Sequence, residues 1–247
     1  MAKQKPVLLS LVAWAVLWEL AARYAASDMF PPLSHVVTTA FSLVQLQSFK
    51  DAIVITARAF ATGMALAIVV GVPVGALMGR FKPVDRILNV WVNIFIAAPL
   101  TAVVPALMPI LGIGETTVVA TVFLFAVWVI IIDTREGMVG INRSLLEMAR
   151  SNGATRWQMF SKIMLPSAMP EVMTGIRLSV VRGIKGVIIG QIVVAVVGLG
   201  ELFDTYLHGF QMDRFWALVM IVFLLGMTLM GAVGLVERRL TRHAKVR

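Results

Sequence analysis

The 247-residue chain has no cysteine, three histidines and few charged residues. Without a thiol there is no disulfide framework, no thiolate metal site and no thiol nucleophile. His35, His208 and His243 stand far apart and make no ligand cluster. Asp, Glu, Lys and Arg supply 14% of the residues and apolar types 59%, against about 25% and 45–50% in soluble domains. A globule of this size has too little interior to hide that excess. Mean hydropathy is +0.89. A soluble enzyme and a free nucleic-acid-binding domain are excluded, and an all-α integral membrane protein is expected.

A membrane-crossing helix needs about 20 mostly apolar residues. Six stretches approach that length: Val7–Ala22, Thr56–Met78, Leu88–Ile113, Thr116–Ile132, Gly175–Val197 and Phe215–Val236. They are continuous apolar runs, without the alternation a barrel wall requires. If the chain crosses six times, fifteen of the 22 basic residues fall on one side. They are Lys3 and Lys5; Arg80, Lys82 and Arg86; Arg135, Arg143, Arg150, Arg156 and Lys162; and Arg238, Arg239, Arg242, Lys245 and Arg247. Basic residues accumulate in the cytoplasm, so both termini and the long 133–174 segment are read as cytoplasmic. The isoelectric point near 10.7 is therefore a topology signal and does not point to nucleic acid. Lys3 and Lys5, the first apolar run and Tyr24-Ala25-Ala26-Ser27 also fit a cleavable signal peptide. Glu19 inside the run favours a retained span.

Between spans four and five the sequence reads as two short helices. Ser144 with Glu147, and Thr155 with Gln158, have capping-box spacing. Gly153 suits the left-handed position that closes the first helix, and Pro166 is expected to limit the second. Leu145, Leu146 and Ala149 share one face, as do Trp157, Phe160, Ile163 and Met164 on the second helix. Such apolar faces must be covered by membrane, by the chain's own spans or by another protein.

Glu147-Met148-Ala149, then Gly153 followed by Ala154, then Ile163-Met164-Leu165-Pro166 resemble the Glu-Ala-Ala, Gly, Ile-x-Leu-Pro motif of the membrane subunits of binding-protein-dependent ABC importers. Spacing agrees throughout, with Met148 replacing one alanine. The similarity continues at Pro170, Gly175-Ile176-Arg177 and Gly198-Leu199-Gly200, and covers nearly the whole chain as one transmembrane permease domain. The pattern looks like the nitrate, sulfonate and taurine subfamily, although Gln191 stands where that subfamily often has Glu. The resemblance implies that the segment at about 134–170 docks on a cytoplasmic ATPase, with Glu147 and the first helix toward the partner and Phe160 to Pro166 transmitting its motion. It implies two permease subunits (a homodimer is expected), an ATPase dimer that binds ATP and Mg, and an extracytoplasmic substrate-binding protein. This chain then holds no cofactor or metal of its own, works in the bilayer of an inner membrane and binds no nucleic acid. It lacks the Gly-x4-Gly-Lys-Ser/Thr phosphate loop and any catalytic constellation, so it is not expected to be an enzyme.

Pro99, Pro105 and Pro109 argue against a straight third span, and Pro73 can kink the second. Broken backbone at membrane depth is buried or lines a wet cavity, which makes Pro99 a candidate for the solute route. Gly71, Gly75 and Gly79, and Gly186 and Gly190, have the four-residue spacing of close helix packing. Arg182 and Lys185 share one face of span five, with Gln191 beyond. Cations inside spans face protein or water, so these residues are candidates for an anion pathway, or for pairing with Glu19, Asp133 or lipid phosphate. Gly198–Asp213, with Glu201 and Asp204, is expected on the outer side as a re-entrant helix or a docking surface. An ion-gradient transporter, which would use intramembrane acids and inverted repeats, and a non-transporting assembly protein are the rival readings.

Overall fold

A computed structural model describes residues 5–25, 27–194 and 196–240. Lys3, Ala26, Arg242, His243, Lys245 and Arg247 lie outside the described residues. Every described element is helical: α1 Lys5–Ala25, α2 Leu33–Leu43, α3 Gln47–Arg80, α4 Lys82–Ala97, α5 Leu100–Leu111, α6 Glu115–Val139, α7 Arg143–Ser151, α8 Arg156–Met159, a π-turn Phe160–Met164, α9 Leu165–Val194, α10 Gly198–His208 and α11 Met212–Leu240. Among the described residues three helices (α3, α6 and α11) are long and apolar enough to cross a membrane by themselves. Counting the bent pairs α4–α5 and α9–α10 as single spans raises the number to five. The sequence reading of six adds α1, which carries Glu19 within its apolar run.

The centre is α6, flanked by α3 and α9. Lipid supplies no water-exclusion force between helices, so small residues that let backbones approach do the work. The expected glycine packing is present. A methyl on Gly63, Gly71 or Gly75 would meet Val122, Ile130 or the Ile131 carbonyl of α6 at 2.6, 2.9 and 2.5 Å, and one on Gly79 would overlap Met138. On the other side, Gly186 and Gly190 of α9 face Phe125 and Thr121 at 3.0 and 3.1 Å, and Gly175 faces Asp133 at 2.7 Å. Val118, Val122, Ala126 and Ile130 are fully enclosed as a result.

Two ion pairs brace this core at opposite ends. Arg58 of α3 holds Glu115 at the start of α6, with Nε donating to Oε1 at 2.7 Å. Arg135 near the far end of α6 forks onto Asp85 of α4, Nη2 to Oδ2 at 2.7 Å, and also reaches Glu136. Each pair joins residues that the charge count assigns to one side of the membrane. The third span breaks where expected: α4 and α5 meet at 102° across Ala98 and Pro99. Pro105 and Pro109 lie inside α5, and α3 runs unbroken through Pro73.

The helix α2, which the sequence did not announce, begins after Pro32, and no side chain from its own N-cap supports it. Glu19 of α1 takes that role, accepting from Ser34 N and Oγ at 3.0 Å each while pairing with Arg23. Trp18 stacks on Phe30 and donates to Pro31 O at 3.1 Å, and Trp216 of α11 donates to Met29 O at 3.1 Å. The end of α1, the loop and the start of α11 are thus joined by one aromatic group.

Candidate functional site

The segment between α6 and α9 is built from its caps upward. Its first helix is capped by Asn142, whose Oδ1 accepts from Ser144 N at 3.0 Å. This corrects the expected Ser144–Glu147 box: the helix starts two residues earlier, at Arg143, and Ser144 donates its hydroxyl to the same Asn142 oxygen. Asn142 takes the amide of Ser144 itself, so Ser144 lies inside the first turn of the helix and not at its cap.

At the other end Gly153 has φ of 73°, with Gly153 N donating to Arg150 O at 2.9 Å and Ala154 N to Ala149 O at 3.0 Å. Those two bonds make the Schellman closure that a left-handed glycine permits. The second capping box is present as expected: Gln158 N donates to Thr155 Oγ1 at 3.2 Å and Thr155 N to Gln158 Oε1 at 2.9 Å.

Pro166 does not end the second helix, which corrects the sequence reading. Leu165 keeps helical angles, and Leu165 N donates to Phe160 O five residues back. Proline lacks the N–H for the usual bond, and its ring crowds the carbonyl four residues earlier. The wider π-turn at Phe160–Met164 takes up that conflict. One helix therefore runs from Arg156 to Val194, about 58 Å at 1.5 Å per residue.

The motif residues divide by direction. Ala149 and Met164 are buried, and Ala154, Phe160 and Ile163 are half-buried, packed with Ala76 of α3, Met138 and Ile141 after α6, and Ala168 of α9. The chain's own core covers this apolar face. Glu147, Gly153 and Pro166 are exposed, Leu165 is half-buried, and two large apolar side chains, Met148 at 57% and Trp157 at 73%, also face outward. Trp157 thus departs from the shared face expected for it, because the chain turns at Thr155 before the helix seats itself at Met159. Glu147, Met148, Arg150 and Trp157 are exposed side chains of the knob: two apolar groups and one charge of each sign.

The candidate pathway residues do not converge. Pro99 is exposed at the α4–α5 bend and Arg182 is exposed on α9. Lys185 lines a cleft of about 710 Å³ between α9, α10 and α11, among Ile188, Phe203, Asp204, Phe223 and Met227. Neither Arg182 nor Lys185 has an ion-pair partner among the described residues; Glu19 is engaged by Arg23. Gln191, in contrast, is 0% exposed and touches Thr56 of α3. From sequence Asp204 was named only as part of the outer segment, with no place in a cleft, and Thr56 was not connected with Gln191. Only the folding of α10 against α9 and α3 puts them there.

The fold is that of a multi-helix membrane core with a surface-mounted, helix-linked knob. Residues 67–242 match the model of the "Binding-protein-dependent transport system inner membrane component" family, and the chain belongs to that family. It is 27% identical over 247 residues to the taurine transport system permease protein TauC of Escherichia coli, covering 96% of this chain and 90% of that one. It is also 29% identical over 183 residues to the carnitine transport permease protein OpuCB of Listeria monocytogenes, covering 74% and 84%. The solved inward-facing MetNI methionine ABC transporter shares the fold, with a TM-score of 0.68 at 21% identity over 78% of this chain and 96% of that one. The protein is thus a multi-pass inner-membrane permease subunit of an ABC importer, whose ATPase is a separate subunit. Family membership sets aside the ion-gradient transporter and the assembly protein.

Proposed function

We propose that two copies of this chain form the membrane part of an importer, with both termini cytoplasmic, an ATPase dimer holding ATP and Mg below and a substrate-binding protein above. The ATPase engages the outward surface of Glu147, Met148, Arg150 and Trp157, and Gly153 gives the turn that presents it. Ala149, Ala154, Phe160, Ile163, Leu165 and Pro166 seat that surface and link it to span five. The observation that carries this reading is the uninterrupted helix from Arg156 to Val194, since a push at the exposed Trp157 reaches membrane depth without a loop to absorb it. Transmission of this kind needs a stiff element biased between two arrangements.

The cargo is a small anionic solute that passes Lys185, a cation with no ion-pair partner among the described residues, in a mainly apolar cleft that also holds Asp204. Taurine and carnitine, named for two relatives, each carry an acidic group beside a cationic one, so they are zwitterions and choose no cargo. A ligand screen on the cognate binding protein identifies it.

The test is uptake by the reconstituted transporter. Glu147→Lys and Gly153→Asp are expected to lower ATP-driven uptake and assembly while membrane insertion is unchanged; full uptake in either variant overturns the docking assignment. Lys185→Gln is expected to reduce anion uptake about tenfold, the worth of one interaction near 1.4 kcal/mol, with ATPase assembly intact. Equal uptake removes the anion route.

A further inference from the structure

We infer that Gln191 is a positioning residue: it pins α10 to the outer ends of α3 and α9 through Thr56, and does not contact the transported solute. Gln191 has no exposed surface, so a solute in the cleft cannot reach it in this state. Its Oε1 accepts from Thr56 Oγ1 at 3.0 Å. The same hydroxyl shares its proton with Ala52 O at 2.9 Å and accepts from Leu199 N at 3.1 Å. Leu199 lies in the first turn of α10, where amides lack a partner within the helix, and the N-cap Val197 provides no side-chain bond. Thr56 is therefore a cap lent by a different helix, and Gln191 orients it.

Two glycines close the joint from the other side. Gly198 has φ of 65°, a conformation L side chains rarely adopt, and any Cβ there would overlap Gln191 Nε2. A Cβ on Gly200 would overlap the Gln191 backbone. Three elements thus meet at one buried amide with no room for a substituent. Among the described residues nothing accepts from Gln191 Nε2, which is aimed at the Gly198 backbone. A buried polar group in a bundle is costly unless its surroundings hold it, so its value here lies in fixing geometry. The fixed element is α10, which carries Phe203 and Asp204 into the cleft that Lys185 enters from α9. The joint thereby sets the outer wall of that cleft. This last consequence rests on the transport reading, whereas the joint itself does not.

The chain has no native cysteine, so Lys50→Cys on α3 and Glu201→Cys on α10, both exposed, give one nitroxide pair per chain in the full-length protein in nanodiscs, and mixing with excess unlabelled chain removes distances between copies. Pulsed dipolar spectroscopy is expected to show one narrow distance with Gln191 present. Gln191→Leu, Thr56→Val and Gly198→Ala each attack a different corner and are expected to broaden or shift it. Gln191→Glu keeps an acceptor for Thr56 and is expected to keep it narrow. Thr121→Val, which removes a buried hydroxyl bonded only within α6, is the control for general loosening. Unchanged distances in both Gln191→Leu and Thr56→Val, or equal broadening in Thr121→Val, overturn the assignment. The measurement needs neither ATPase nor solute, so it is decided separately from the importer reading.

Discussion

The two ends of the helix that runs from Arg156 to Val194 are built in opposite ways. At the end that carries the knob the chain passes Pro166 without breaking, because the π-turn at Phe160–Met164 absorbs the missing amide, and apolar packing seats the foot on α3 and α6. At the outer end the helix stops, and the next element, besides its apolar packing through Leu199, Phe203 and Tyr206, is fixed by a single hydroxyl and a buried amide. Apolar packing tolerates small sliding, whereas directional bonds in a close-fitting joint have one satisfied arrangement. The difference suits a lever: a compliant seat where force enters, a stiff shaft through the bilayer, and a defined hinge where motion turns.

That contrast assumes a shaft braced against an unyielding α6, and the largest expected effect lies there. Gly75→Val drives a side chain into the Ile131 carbonyl, 2.5 Å from the position of a Cβ, and backbone cannot move aside as a side chain can. Overpacking of this kind costs about 1–3 kcal/mol or more, so folded yield and the melting temperature in detergent should fall. Gly231→Ala on α11, with nothing within 4 Å, should leave both unchanged. Equal effects would mean the centre is no tighter than the periphery.

A smaller effect is expected at the turn that presents the outward surface. Gly153 has open space around it but φ of 73°, so Gly153→Val should cost about 1–2 kcal/mol through backbone strain alone. Gly153→Asn should be nearly neutral, because Asn visits that region readily. Thermal unfolding separates them, and equal losses would point to a lost contact instead of strain. Smallest of the three, Asn142→Ala should cost about 0.5–2 kcal/mol of local helix stability as a lost N-cap. Amide exchange across 143–147 should rise more in that variant than in Ser144→Ala; the reverse order would restore Ser144 as the cap.

Much of this was legible because it depends on local chemistry or on side-chain size. The Gly71–Gly75–Gly79 spacing, Gly153 and the Thr155–Gln158 box each act within about two helical turns, and each is found as expected; of the six apolar runs, the described residues give three single-helix spans, or five with the bent pairs. The misreadings share a different cause. Asn142 is itself a favoured cap residue and was passed over for the Ser144–Glu147 spacing, and Pro166 was judged by the α-helical rule although a π-turn offers the chain another solution. Trp157 keeps helical spacing with Phe160 yet is exposed, because periodicity shows which residues align and not where the helix first meets its support. Gln191 and Thr56 are 135 positions apart, and no local pattern in either segment announces the other. The glycines at 198 and 200 were noticed only as part of a motif; their physical reason is the Gln191 they enclose.

The claim at the centre is that force enters through the outward surface of the knob and not through its seated face. A photo-crosslinking residue at position 157, compared with one at position 163, tests this in the assembled transporter. The account predicts an adduct with the ATPase subunit from position 157, increasing when nucleotide is bound, and only adducts within the permease from position 163. An ATPase adduct from 163 with none from 157 would contradict it.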